Sequence, residues 1–269
     1  MSAAAPATTT LARYLRRLLW LSMLPLLLLA LVLAADALRH VRAADERAAR
    51  LLATQLAGAI DGMLRERKLA LEVLAASPLL DAGRLADFQR RAQVFPRRFG
   101  SALILADRQG RMLLHTGMPY GQALPALPRP QGRAAVPAAF ASGHAEVGDL
   151  VFGPVVRHPL VAVAVPVLRH GKADQVLLTA IDVRAFQQRI DAAGVPQGWR
   201  VALLDSRHEL IAGRWGPHAD AASPGRGGTR LQATMAEAPW QLLVDEPAAS
   251  RRGPWLASLA ALALAIAAA

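Results

Sequence analysis

At 269 residues and 54% apolar content, the chain has room for one or two compact domains, with part of its apolar share gathered in runs too continuous for a soluble core. It contains no cysteine, which excludes a disulfide, a thiolate nucleophile and a cysteine-ligated metal. The formal charge of +11 comes from dispersed arginines, with Lys68 and Lys172 as the lysines, and a charge so spread excludes a nucleic-acid footprint.

Residues 18–35 (LLWLSMLPLLLLALVLAA) carry no charge and, with their neighbours, are long enough as a helix to cross the ~30 Å hydrocarbon layer. Arg13, Arg16 and Arg17 precede the run and Trp20 lies near its start, so residues 1–17 are expected on the cytoplasmic side. Pro25 is tolerable in a spanning helix. The rival reading is a cleaved signal peptide with Ala34, Ala35 and Ala37 near the cleavage site; against it, the run exceeds the ~7 to 15 apolar residues of such a peptide. Either version exports the chain from residue 36 onward.

Residues 36–77 lack proline, and apolar positions return at three- and four-residue steps through Leu38, Val41, Ala48, Leu52, Leu56, Ile60, Met63, Leu71 and Leu74. That period predicts a long amphipathic helix, ended by Pro78. A shorter helix is expected over 81–91, interrupted by the 95–100 segment FPRRFG. Two apolar runs, 101–106 and 111–115, then flank the turn Asp107-Arg108-Gln109-Gly110, a hairpin signature. After the proline-rich loop 119–130 and a short helix over 136–142, strands are expected at 149–156, 160–168 and 175–181, paired antiparallel. Pro154 and Pro166 lack a ladder donor and belong at edges, bulges or strand ends. Residues 183–192 supply another helix.

A second unit begins as the first did, with an apolar run over 199–204, the turn Asp205-Ser206-Arg207-His208, and 209–212. The two hairpins read as one device used twice. A Gly/Pro/Ala loop fills 213–228, and strands at 229–235 and 240–244 complete a small sheet. The uncharged run 255–269 is read as the start of a second span, and the chain as a fragment of a longer receptor.

A spanning helix, a long exported helix, a hairpin with an Asp-x-x-Gly turn, later strands and a return to the membrane resemble the Cache-type sensor regions of bacterial transmembrane receptors. The likeness covers about residues 36–250 and is nearest to the extracytoplasmic regions of sensor histidine kinases. It is carried by Asp107-Arg108-Gln109-Gly110, by 149–154 (DLVFGP), by Val165-Pro166-Val167 and by 239–244 (PWQLLV). The resemblance implies an α+β fold, a membrane-anchored chain with the long N-terminal helix packed on a PAS-like antiparallel sheet and a second smaller β-rich unit. It divides the chain into a cytoplasmic N-terminus (1–17), a transmembrane helix (18–35), the amphipathic helix (36–77), a membrane-distal sensor unit (78–192), a membrane-proximal unit (193–250) and an incomplete second span (253–269). It also implies the bacterial inner membrane as location, with the main domain extracytoplasmic, and a histidine kinase output in a full-length parent. The arginine-plus-tryptophan feature of amino-acid-binding members is absent between residues 113 and 149, whereas Asp182 stands at a strand end where those members carry an aspartate.

Candidate ligand-binding residues lie in or beside the first sheet: Arg98, His115, Tyr120, Arg157, His158 and Asp182. An arginine holds a carboxylate through paired hydrogen bonds, and Asp182 would receive an ammonium group or orient the arginine. The same residues read equally as surface arginines, a strand-ending histidine, a packed tyrosine and a helix cap at Asp182. The seven histidines show no compact metal-ligand spacing, so no metal and no cofactor is expected. Neither a G-x-S-x-G elbow nor a phosphate loop is present, and no catalytic domain is recognised. The expected partners are a small-molecule ligand or a periplasmic protein, the membrane, and a second copy of the chain. The alternative is a membrane-tethered structural or interaction protein without a small-molecule ligand.

Overall fold

The computed structural model describes residues 8–153, 157–169, 171–214 and 230–245. Pro154, the end of the strand expected over 149–156, most of the 213–228 loop and the expected second span lie outside the described residues. The chain divides into two compact units, Met1–Ala48 and Ala49–Ala269, and helix α1 (Thr8–Ala75) belongs to both. Among the described residues no helix is long and apolar enough to cross a membrane. The expected span at 18–35 lies on the backbone of α1, and most of its side chains fall outside the described residues.

In the second unit, α1 buries Leu52, Leu56, Ile60, Met63, Leu64 and Leu71, the face predicted by the three- and four-residue steps. After α1 come α2 (Pro78–Asp81), α3 (Leu85–Ala92) and α4 (Val94–Phe99). The interruption expected at 95–100 is therefore itself a helix. Pro96 falls in the first turn of α4, where a missing N–H breaks no helical bond, and Gly100 ends it at φ 67°.

The first sheet runs β2 (Met112–His115), β1 (Leu103–Asp107), β6 (Lys172–Asp182), β5 (Pro159–Arg169), β3 (Glu146–Val147), with β4 (Val151–Phe152) also pairing β5, and all pairs are antiparallel. Side-chain alternation gives this sheet two unlike faces. Leu103, Leu105, Val161, Val163, Val165 and Leu177 enter the main core with α1. The residues between them, Ile104, Ala106, Ala162, Ala164, Val176 and Leu178, face α5 (Ala135–Ser142). Pro166 shares the parity of Ala162, whose carbonyl accepts from Gly148 N, so its missing N–H faces the β3 side of β5, where pairing stops at Ala164.

After α6 (Val183–Ala192) the second sheet runs β8 (Leu210–Arg214), β7 (Arg200–Leu204), β10 (Gln241–Asp245), β9 (Arg230–Thr234). Gly213 is required there, because a Cβ would stand 2.3 Å from Val201 O on the paired strand. Trp240 is fully buried and meets Phe186 of α6 edge to face at 5.6 Å.

The two hairpins are one device in atomic detail. Asp107 Oδ1 accepts from Gln109 N and Arg111 N, and Asp205 Oδ1 accepts from Arg207 N and Glu209 N. Each turn is closed by a left-handed residue, Gly110 at φ 78° and His208 at φ 65°. Each hairpin has a register shift just before its aspartate, at Leu105/Ala106 and at Leu203/Leu204. The copies differ in the second carboxylate oxygen. Asp107 Oδ2 accepts from Arg111 Nε in its own turn, whereas Asp205 Oδ2 accepts from Leu150 N beside the first sheet.

Candidate ligand cavity

The α5-facing side of the first sheet is built from small residues, and Ala162 and Ala180 leave volume beneath the connection that crosses them. The result is a cavity of ≈ 1000 Å³, at the upper end of the ~300–1,000 Å³ of small-molecule sites. Ile104, Met112, Leu160 and Leu178 form its apolar floor; Leu127, Pro128, Val136 and Phe140 form its roof.

The roof is tied at both ends by backbone bonds. Leu127 N donates to Gly110 O at 3.0 Å, and Asp149 N donates to Arg133 O at 2.8 Å. Asp149 returns the bond, its Oδ2 accepting from Arg133 N at 2.5 Å. Arg108 reaches from the first hairpin turn, donating to Ala173 O at 2.9 Å and lying over the Phe140 ring at 5.1 Å, which closes one end.

Asp149 also reaches the second sheet. It is 1% exposed, and Ser206 donates to it twice, from N to Oδ1 at 3.1 Å and from Oγ to Oδ2 at 2.6 Å. Asp205, equally buried, accepts from Leu150 N at 3.3 Å, so the two aspartates clasp each other's chain segment. A Cβ on Gly132 would lie 2.1 Å from Asp149 Oδ2, so only glycine admits this approach.

Three of the expected residues, His115, His158 and Asp182, line the cavity. His115 ends β2, where Gln89 of α3 donates to its carbonyl at 3.3 Å. Its Nδ1 accepts from Gly117 N at 3.1 Å, so in the neutral ring the proton sits on Nε2. Burial holds the His115 pKa below the ordinary imidazole value. The unfolded chain therefore takes up a proton near pH ~6.5 that the folded chain resists, and stability falls as pH drops from there toward the folded pKa. The expected result is a steeper loss of melting midpoint between pH 7 and 5 in the native chain than in His115→Asn, whose Oδ1 replaces the Nδ1 acceptor without titrating; equal slopes would exclude the effect.

Asp182 caps α6, its Oδ1 accepting from Arg184 N at 2.8 Å, and its Oδ2 meets Arg184 Nε at 2.8 Å and His158 Nε2 at 3.5 Å. Burial opposes its ionisation, but the bonds from Arg184 and the His158 charge outweigh that and hold its pKa below the ordinary carboxylate value.

The other three expected residues lie off the cavity lining. Arg98 pairs with Glu66 of α1 at 3.0 Å. Tyr120 is 56% exposed on its loop. Arg157 is exposed at φ 55°, its N donating to Gly153 O at 2.8 Å. In their place the cavity presents Arg108, Arg129, Arg184 and Asp149. A signal for Arg184 existed in the sequence, two positions after the capping aspartate. Arg129 and Asp149 stood in stretches read as a loop and a strand, with no period to show which way they face. Among the described residues no group of histidine and carboxylate side chains could hold a metal ion.

No family model and no curated protein matches the chain. Solved structures match it in fold. The ligand-binding domain of the Pseudomonas aeruginosa PAO1 amino acid chemoreceptor PctB, in complex with L-Arg, aligns at TM-score 0.58 and 13% identity over 76% of this chain and 95% of that one. The corresponding PctC domain in complex with GABA gives 0.54 and 19% over 72% and 95%. The sensor domain of the V. cholerae histidine kinase DctB gives 0.51 and 11% over 74% and 95%. The fold is that of chemoreceptor and histidine-kinase sensor domains, in agreement with the Cache-type resemblance of the sequence.

Proposed function

We propose that this chain, having the fold of bacterial receptor sensor domains, is the extracytoplasmic input region of a transmembrane receptor that binds a small molecule in the cavity of its first sheet. The observation that carries the reading is the cavity, an apolar chamber of ≈ 1000 Å³ with a few convergent polar groups at its rim. The structural or interaction alternative predicts a filled sheet face, which the alanines of β5 and β6 do not provide.

In this reading α1 anchors the chain in the bacterial inner membrane. Leu28, Leu29, Val32 and Leu33 are each at least 55% exposed, as a lipid-facing surface requires. Ligand binding shifts the balance between two states, and the change passes along α1 to a cytoplasmic output, a histidine kinase of a two-component system in the leading form. The ligand-binding residues are His115, His158 and Asp182 of the expected set, joined by Arg108, Arg129 and Arg184. Arg98, Tyr120 and Arg157 are not retained. The receptor is a homodimer along α1, whose outer face exposes Leu51, Leu69 and Val73 beside Gly58 and Gly62, where a Cβ would meet nothing within 4 Å. A sedimentation mass that stays monomeric at all concentrations would exclude the dimer.

The test of the sensor reading is thermal unfolding of the purified full chain against carboxylates, amino acids, amines and neutral solutes. A ligand at ~100 times its dissociation constant adds about 2.7 kcal/mol of stability. The expected result is a raised midpoint with one class, lost in Ala162→Leu, which fills the cavity from its floor. No response to any class from a folded chain would overturn the reading.

A further inference from the structure

We infer that the cavity takes an organic carboxylate with an apolar body and no ammonium group, an inference that rests on the sensor reading above. Among the described residues two carboxylates lie on the lining, Asp149 and Asp182. Asp149 is 1% exposed, and both its oxygens are occupied by Arg133 N, Ser206 N and Ser206 Oγ. Asp182 is occupied by the backbone N and the guanidinium of Arg184 and faces His158. An ammonium group arriving there would share the carboxylate with the Arg184 guanidinium, a like-charge contact. An aromatic face is another means of holding an ammonium. Among the described residues Phe140 is the one phenylalanine, tyrosine or tryptophan of the lining, and the Arg108 guanidinium already lies over its ring.

The donors point to the opposite charge. Arg129 is exposed on the rim and has no hydrogen-bond or ion-pair partner among the described residues. Arg184 binds Asp182 through Nε and Nη2, which leaves the other nitrogen of its planar fork for an anion. His115, with Nδ1 occupied by Gly117 N, offers a fixed Nε2–H donor in its neutral form. Among the described residues three arginines stand against two aspartates that are already engaged, a balance that favours an anion at the rim. Beneath the rim the surface is aliphatic, with Ile104, Leu160 and Leu178 as its larger elements, suited to an alkyl or aryl body.

The test uses matched pairs that differ only in the ammonium group: leucine and 4-methylpentanoate, isoleucine and 3-methylpentanoate, phenylalanine and 3-phenylpropanoate, 4-aminobutanoate and butanoate. Titration calorimetry on the purified full chain is expected to give at least tenfold tighter binding for the deaminated member of one or more pairs. Arg129→Gln is expected to weaken that member by about tenfold, the scale of one charge-assisted bond, while leaving the melting midpoint of the free protein unchanged. An amino acid that binds as tightly as its deaminated partner overturns the inference and leaves the sensor reading standing. Silence from both members of every pair also overturns it. A response to amines or neutral solutes in the wider panel then keeps the sensor reading, and silence there removes both.

Discussion

Replacing Asp149 by alanine is expected to lower the stability of the second unit by about 3 kcal/mol or more, because it removes three hydrogen bonds to a buried carboxylate and strands their donors. At roughly 2–4 °C per kcal/mol for a unit of this size, the melting midpoint should fall by on the order of 10 °C. Asp149→Asn is expected to lose nearly as much. Its amide retains an acceptor for Ser206 N, but presents N–H groups where Arg133 N and Ser206 Oγ–H both donate. Ser206→Ala alone should cost about 1 kcal/mol, and a double-mutant cycle with Asp149→Ala should return a coupling of about 1 kcal/mol between the sheets. Additive effects would show that the Ser206 hydroxyl contributes nothing to the link, leaving it to the backbone bonds of Ser206 N and Leu150 N. Because the same carboxylate holds the roof through Arg133, weakening it also loosens the cavity.

Asp61→Ala is the second large effect, expected to cost about 2–3 kcal/mol. Asp61 lies on the buried side of α1 at 8% exposure, and its two oxygens accept from Ala236 N and Glu237 N, each at 2.9 Å, in the turn between β9 and β10. Arg65 and Lys68, one turn and two turns further along α1, bind the Glu237 carboxylate, and Lys68 also binds its carbonyl. The helix thus grips one turn of the second sheet at several points. Beyond the midpoint shift, the amides of Ala236 and Glu237 should exchange faster with solvent in Asp61→Ala, while those of β5 and β6 keep their protection. Unchanged exchange at the two amides would mean that Arg65 and Lys68 suffice to hold the turn. The two aspartates thus hold the second sheet at separate turns, Asp149 tying the β7–β8 hairpin to the cavity roof and Asp61 tying the β9–β10 turn to α1.

Much of this architecture is legible in the sequence because its causes are local. The buried face of α1 follows from side-chain spacing. The paired hairpins follow from an aspartate whose side chain bonds the backbone two and four residues on, a motif contained within five residues. The α4 helix is hidden because Pro96 reads as a breaker unless it is known to fall in a first turn. The cavity is legible only in part, for a physical reason. Arg98, Tyr120 and Arg157 have suitable chemistry, but nothing local reports which side of a sheet a loop residue will meet. Arg98 turns to Glu66, a partner 32 positions away in sequence. Asp149 reads as the opening residue of a strand, and its role becomes visible only when residues 57 positions later are placed against it.

The alternation along β5 and β6 has one more consequence. Val161, Val163, Val165 and Leu177 determine whether the sheet holds to α1, while Ala162, Ala180 and Leu178 determine the size and shape of what can enter. Neighbouring positions therefore serve different ends, one set packing the core and the next shaping the chamber. In the proposed receptor, single changes at these alanines would refit the chamber to a different solute while the valine face that packs on α1 stays as it is.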